Sequence, residues 1–390
     1  MKVKILSMDW VDKFQCIGAE CPLTCCSHWE ITISDQEIER YEKMEHPFGK
    51  EIVKVIDKEK KCMQLNNGKC QMLTEEGWCK IVQRCGSEYL SFTCTVFPRL
   101  DRFYGDTVEC TVGLTCPVVV EYLFDAEPIG FGFREEELLD YIPKEIDYEV
   151  YDSLSLSRTY LIELLQSYEN QFHMGKLYIV LQVMEKVKEL MTSNALTKSA
   201  VEEILNYYED TTNRATVFSM GEELAKKTEI KLQSIKKLIS IVKLLINDEQ
   251  MIRCPISTET MYQYLEVWNQ DREQLYCDIK EFSIYYQNQY SAVFSNYFVY
   301  ALFMDWIELD NRKFGNKIMT RIIEYAVMQI IAMVVWKEKG EVSKRDLSVV
   351  ISSLERGLQN SEGKNKQIVE MLQKNGINQT AEWLLIIPSI

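Results

Sequence analysis

Apolar residues recur at helical spacing through most of the chain beyond residue 150. Leu161, Leu164, Leu165 and Tyr168 fall at i, i+3, i+4 and i+7. Leu177, Val180, Leu181 and Met184 repeat the stripe and continue to Val187, and Ile235, Leu238, Ile239, Val242 and Ile246 give a third. This spacing puts the apolar side chains on one face and predicts amphipathic helices around a shared core. Ser199-x-x-Glu202 and Ser219-x-x-Glu222 predict capping boxes at two helix starts. Further helices are expected over 258–287, 291–308, 316–338, 343–358 and 364–374. The longest apolar stretch, Ile322 to Trp336, is interrupted by Glu324 and Gln329. It falls short of the roughly 20 residues of a membrane span and reads as a buried helix.

The first third of the chain has a different character. Six of the eight prolines (Pro22, Pro47, Pro98, Pro117, Pro128 and Pro143) lie in the first 143 residues, and only Pro255 and Pro388 follow. Proline disrupts helix interiors, so long helices are expected after that stretch and not within it. From Glu135 to Asp152 eight acidic residues face one basic residue, Lys144. Such a run reads first as a solvated linker; a docking strip for a cationic substrate is the sharper alternative. The expected fold is therefore mainly α: an irregular cysteine-rich metal-binding domain over 1–125, an acidic linker over 126–153 and an all-helical domain over 154–390.

Charge narrows the function. The 390 residues carry a net charge of −15, which argues against binding a nucleic-acid backbone. The start, Met1-Lys2-Val3-Lys4-Ile5, reaches Asp9 and Asp12 without an apolar segment, so no signal peptide is expected. The expected compartment is the cytoplasm, with no membrane partner.

Cysteine then changes the picture. Eleven of the thirteen cysteines lie between Cys16 and Cys116. Thiols in a reducing compartment seldom persist as disulfides, so a local cluster points to metal or redox chemistry. Zinc knuckles usually pair cysteines two to four residues apart, and no CxxC occurs here. Cys16-x4-Cys21 and Cys21-x3-Cys25 leave zinc open. A tetranuclear iron–sulfur cluster wants four thiolates and tolerates spaced ligands, so Cys70, Cys79 and Cys94 suit it. Adjacent Cys25 and Cys26 seldom both ligate one small ion. A CxxxCxxC motif of the radical S-adenosylmethionine type is broken, because His28 stands three residues past Cys25. Cys254 and Cys277 read as structural. Arg99, five residues past Cys94, is the candidate to grip the carboxylate of a bound cofactor, with a structural hydrogen bond to loop carbonyls as the alternative. Trp29 and Phe97 read as packing around the site. Gly130-Phe-Gly132 is a poor match to a dinucleotide-binding loop, so a doubly wound nucleotide-binding domain is not expected.

These same residues carry a resemblance. Phe14-x-Cys16-x4-Cys21-x3-Cys25-Cys26-x2-Trp29 resembles the opening of the flagellin lysine-N-methylase family. So do Cys70-x2-Leu73, Gly77-x-Cys79-x-Ile81, Tyr89-Leu90, Thr93-Cys94-x2-Phe97-Pro98-Arg99 and Cys116-Pro117. Asn296-Tyr297-Phe298 is similar to that family's later helical region. The resemblance implies methyl transfer from S-adenosylmethionine to lysines of flagellin, and a [4Fe–4S] cluster. It implies Cys16, Cys21, Cys25, Cys26, Cys70, Cys79, Cys94 and Cys116 as the metal-binding set, with Cys62, Cys85 and Cys110 as additions. The alternative is a non-catalytic zinc- or iron-binding module carrying a helical protein-interaction domain.

Overall fold

The computed structural model describes residues 1–27, 31–138, 141–167, 173–247, 252–359, 362–377 and 380–389. His28 and Trp29 lie outside the described residues. Beyond residue 147 the chain is helical: α1 (Tyr148–Gln166), α2 (His173–Thr192), α3 (Lys198–Glu209), α4 (Thr211–Ala225), α5 (Thr228–Ile246) and α6 (Thr258–Gln270). Then come α7 (Arg272–Asp305), α8 (Asn316–Lys339), α9 (Lys344–Gln359), α10 (Glu362–Lys374) and α11 (Thr380–Leu385). The apolar stripes bury as their spacing requires: Ile235, Leu238, Ile239 and Val242 are all buried.

Some details depart from expectation. Helix α3 is capped by Thr197, whose side chain accepts from the Ala200 N–H, and not by Ser199. Ser219 and Glu222 lie inside α4, which is capped by Asp210. The segments 258–287 and 291–308 divide differently: α6 ends at Gln270, and α7 runs on through a kink at Tyr290 (φ −136°, ψ 37°). Helix α8 has 24 residues and is long and apolar enough to cross a membrane, but 94% of its apolar window is buried inside the protein.

The first 138 residues are not wholly irregular. Strands β1 (Lys2–Met8), β2 (Arg99–Tyr104), β3 (Thr107–Val112) and β4 (Phe131–Glu137) form one sheet in the order β2-β3-β1-β4. β1 runs parallel to β3 and antiparallel to β4. Part of the acidic stretch 126–153 is therefore an edge strand: Glu135, Glu136 and Glu137 stand opposite Lys4, Val3 and Lys2. Lys2 lies within salt-bridge reach of Glu135.

The sheet and the helices share one apolar core, running from Met8 and Val112 through to Ile387. A buried ion pair fastens them: Arg158 of α1 donates through both terminal nitrogens to Glu109 of β3, and Tyr151 adds its hydroxyl. Residues 31–94 build a second, smaller apolar cluster around Ile31, Tyr41, Phe48, Ile52 and Met72. Its regular structure is slight, with helices Asp35–Glu42, Gly49–Lys54, Lys80–Cys85 and Phe92–Val96 and ladders of two residues a side.

Candidate functional site

The cysteine loops are each fixed by short-range bonds. The loop after Phe14 turns at Gly18, whose N–H donates to Cys16 Sγ (3.4 Å) and whose φ of +58° suits glycine. A Cβ there would meet the Trp78 ring at 2.8 Å. Cys25 and Cys26 lie on a turn in which the Cys26 N–H donates to Thr24 Oγ1 (3.2 Å). The Cys70 N–H donates to the Cys26 carbonyl (2.8 Å), joining the first cysteine segment to the second. Cys79 precedes the helix Lys80–Cys85 and bridges to Leu73. Cys94 sits in Phe92–Val96, where its N–H donates to the capping Ser91 hydroxyl. Cys116 caps Pro117–Glu121, with proline at the first helical position, where its missing N–H costs nothing.

These loops enclose two adjoining cavities. The outer one, about 490 Å³ and partly enclosed, is lined by Cys16, Cys21, Cys25, Cys94 and Cys116, with Arg99 and Arg356 among its other walls. The inner one, about 20 Å³, is lined by Cys26, Cys70, Cys79 and Cys94 and otherwise mostly by apolar side chains. The eight cysteines named from the resemblance thus all stand on these walls. Cys62 lies in a two-residue strand, Cys85 lies 3.7 Å from His46 Nδ1, and Cys110 is in β3; none of the three lines either cavity. Among the described residues, no three His, Cys, Asp or Glu side chains stand close enough to hold a metal ion. No disulfide joins the described cysteines. A larger hollow of about 930 Å³ lies between α2 and α4, but it is an open surface groove walled mainly by threonines and apolar residues, without this density of reactive groups.

Electrostatics divides the thiols. Burial pushes Cys70 up to about 12 and Cys94 and Cys116 up to about 11, and it raises Cys79 and Cys21 as well. Cys25 and Cys26 are tied by a hydrogen bond. That bond raises Cys25 and is the main reason Cys26 falls to about 7. The cation facing this group is Arg356 of α9. It favours the thiolate at Cys21, Cys25, Cys26 and Cys116, while burial holds its own pKa below the usual guanidinium value.

Arg356 was not singled out from the sequence. Its guanidinium donates to the carbonyls of Thr115 (2.8 Å), Thr24 (3.0 Å) and Leu23 (2.9 Å), gripping both loops that carry the outer cysteines. Arg99, by contrast, is exposed on the wall of the outer cavity with its guanidinium 5.2 Å from the Phe14 ring centre. The loop-holding role weighed for Arg99 is seen at Arg356. Phe97 lines the same cavity. Arg40 and Tyr41 hold the Tyr89 and Leu90 carbonyls, which fixes the stretch between the two cavities.

A helical body faced by a sheet and carrying a thiol-lined cleft defines a class of cysteine-rich α-helical proteins. Within that class the chain belongs to the FliB lysine N-methylase family, whose C-terminal domain model matches residues 158–386. The match falls on the helical half and not on the cysteine segment that carried the resemblance. The lysine-N-methylase of Salmonella typhimurium is 24% identical over 152 residues, covering 35% of this chain and 36% of that protein. That of Salmonella choleraesuis matches equally, so the match spans about a third of the length of these curated relatives. The flagellar biosynthetic protein FliU of Salmonella muenchen is 25% identical over 149 residues, 34% of this chain and 85% of that protein. No solved structure matches the chain.

Proposed function

We propose that this chain is a cytoplasmic protein-lysine N-methyltransferase that moves methyl groups from S-adenosylmethionine to surface lysines of flagellin. The observation that carries this reading is family membership over residues 158–386, joined to relatives named lysine-N-methylase. The outer cavity supports it, being of ligand size and placed where the cysteine loops meet α9.

The cysteines on the wall of that cavity are the groups that would hold an iron–sulfur cluster, although as they stand no three of them are close enough to share a metal ion. Cys16, Cys21, Cys25 and Cys116 come from three separate turns, and Arg356 offsets the negative charge that several thiolates would bring. Bound there, the cluster would supply a stiff thiolate-anchored scaffold and one-electron chemistry. Arg99 is placed to take the carboxylate of the donor through a forked contact. Glu88, exposed on the same wall, is the carboxylate available to a cationic sulfonium or ammonium entering the cavity.

In the transfer itself a neutral lysine amine attacks the methyl carbon and the carbon–sulfur bond breaks. The sulfonium becomes a thioether, and the product ammonium sheds its proton to solvent. An unperturbed lysine has a pKa near 10.4, so the amine must lose a proton or its water shell before attack. The test is to incubate anaerobically purified protein with S-adenosylmethionine and flagellin and to measure the flagellin mass. Addition in steps of one methyl is expected, with Arg99→Ala weakening donor binding about 10-fold or more and Arg99→Lys less so. Unmodified flagellin in the presence of cluster-loaded protein would overturn the reading and leave a non-catalytic binding module.

A further inference from the structure

The sheet has two outer edges, and one of them leads to the outer cavity. β2 stands at one end of the order β2-β3-β1-β4, and among the described residues no strand pairs with its outer side. Its first residue, Arg99, lines the cavity, and so does Phe97 just before it. From there the strand runs six residues, about 20 Å, away from the cavity. β4, at the other end of the order, contributes no residue to the cavity wall. The consecutive Glu135, Glu136 and Glu137 guard that second edge against pairing.

Register decides which backbone groups of β2 are spare. Pro98 stands opposite Gly113, whose N–H donates to the Pro98 carbonyl (2.8 Å). In an antiparallel pair, residues bonded to the partner strand alternate with residues whose N–H and C=O point the other way. Leu100 stands opposite Thr111, Arg102 opposite Glu109 and Tyr104 opposite Thr107, so these share the phase of Pro98 and bond to β3. The N–H and C=O of Arg99, Asp101 and Phe103 therefore point outward from the edge. The register is unbroken, so no bulge twists this edge away. Arg99 and Asp101 are exposed, Phe103 is half exposed, and Leu100 adds a second exposed apolar side chain on the other face. Arg102 turns inward to Asp305 (3.5 Å), so beyond Arg99 the charge on this edge is that of Asp101. Glu88 adds a carboxylate on the cavity wall where the edge ends.

We propose that the outer edge of β2 docks an extended, lysine-bearing segment of the protein substrate, which adds to the sheet as a further strand and carries its lysine to the cavity mouth. The proposal rests on the methyltransferase reading and names how that site takes its protein. An extended backbone satisfies a row of outward N–H and C=O groups, whereas a helix has already spent its own on itself. Main-chain bonds give such docking its affinity, and alternate side chains give it specificity. The added strand lies about 4.8 Å from β2, so its residue beside Arg99 stands at the cavity wall. Basic side chains on the segment meet Asp101 on the edge and Glu88 on the wall, in keeping with a chain of net charge −15. Because main-chain pairing reads little sequence, one edge serves lysines in different surroundings as long as each lies on an extended stretch.

The first test reads binding without turnover. The full chain is mixed with flagellin in the absence of donor, and amide hydrogen exchange is followed residue by residue. Exchange at Asp101 and Phe103 is expected to slow about 10-fold or more, with little change at Arg102, whose N–H already bonds to β3. Flagellin that fails to bind, or that binds and leaves Asp101 and Phe103 exchanging as before, overturns the proposal. The second test is Asp101→Pro. Proline at an outward-facing position removes a donor from the free edge and none from the β2–β3 ladder. Flagellin affinity is expected to fall about 10-fold, with the thermal midpoint close to that of the wild type. Asp101→Asn, which keeps the N–H, should lose less. A folded Asp101→Pro variant that binds flagellin as tightly as the wild type overturns the docking edge, and if that variant does not fold, the exchange measurement on the wild type decides. The outcomes also separate the two readings. Methyl transfer with the edge amides unprotected would remove the docking edge and leave the methyltransferase, and protected edge amides without transfer would do the reverse.

Discussion

Arg356 spans the greatest sequence distance of any side chain at the site, reaching carbonyls 241 to 333 residues away. Its three bonds are charge-assisted, and all three acceptors lie in loops that carry cysteines. Replacing it with Met removes every one of them from a half-buried position and leaves three carbonyls to find water. Arg356→Met is expected to cost about 2–4 kcal/mol in a urea titration. Arg356→Lys should cost less, since it keeps the charge and loses the fork. A Met variant as stable as the wild type would mean that the loops are held by other contacts. The cysteines were legible because their chemistry is in their identity. Arg356 was not, because backbone carbonyls carry no sequence signature and its partners are fixed only once the chain has folded. Arg99 stood out through the motif around it, and that singled out a cavity wall and not the loop clamp.

At the scale of elements, a buried charge network joins α7, α8 and α9. Arg321 donates to Asp305 (2.7 Å), to Glu324 (3.0 Å) and to Glu355, and Arg102 of β2 reaches Asp305 at 3.5 Å. Two guanidinium groups thus face three carboxylates, with the Tyr297 hydroxyl on Glu324. Burial, only partly opposed by Arg321, pushes Glu324 up to about 8, and Glu355 moves in the same direction. Unfolded, Glu324 gives up its proton near 4.5; folded, it keeps it until about 8. Between those values unfolding releases a proton, so stability falls as pH rises through this window. The contribution is complete below the lower value, is lost above the upper one, and is on the order of a few kcal/mol. Urea midpoints for the wild type are therefore expected to drop between pH 5 and pH 8, after allowance for other groups, and Glu324→Gln should drop less. Equal slopes would show that the network holds no such proton. The helices themselves were legible from spacing because each buries one continuous face. The strands were not. β2 and β4 are edge strands with largely exposed side chains, so neither Arg99–Tyr104 nor Phe131–Glu137 shows the apolar alternation of a half-buried strand. The acidic run looked like a linker because its partner strand, Lys2–Met8, lies more than a hundred residues away.

At the scale of the whole molecule, the two halves share one interior. Asn296 donates to the carbonyls of Leu123 (3.1 Å) and Asp125 (2.9 Å), and the Leu114 N–H lies 3.3 Å from the Tyr300 hydroxyl. The Trp10 and Tyr300 rings stack at 6.0 Å. Asn296-Tyr297-Phe298, noticed in the sequence as a motif, therefore does structural work at the seam: Asn296 faces the first half while Tyr297 bonds inward to Glu324. The family match over 158–386 covers nearly all of the helical part but not the sheet that lies against it. A fragment beginning at Tyr148 would keep every long helix. It would also strip Glu109 from the buried Arg158, and removing one partner of a buried pair typically costs 3–5 kcal/mol. The fragment would further expose the faces now covered by Trp10, Leu114, Val119 and Leu123, all buried members of the shared core. The broken pair alone is a large share of the about 5–15 kcal/mol that stabilises an ordinary domain, and the lost apolar burial adds to it. The fragment is thus expected to keep its far-ultraviolet helical signal while losing near-ultraviolet ellipticity and a cooperative thermal transition. The full chain should melt in one step across the seam. A fragment that unfolds as sharply as the full chain would show that the family's helical unit folds alone and that the sheet is an accessory to it.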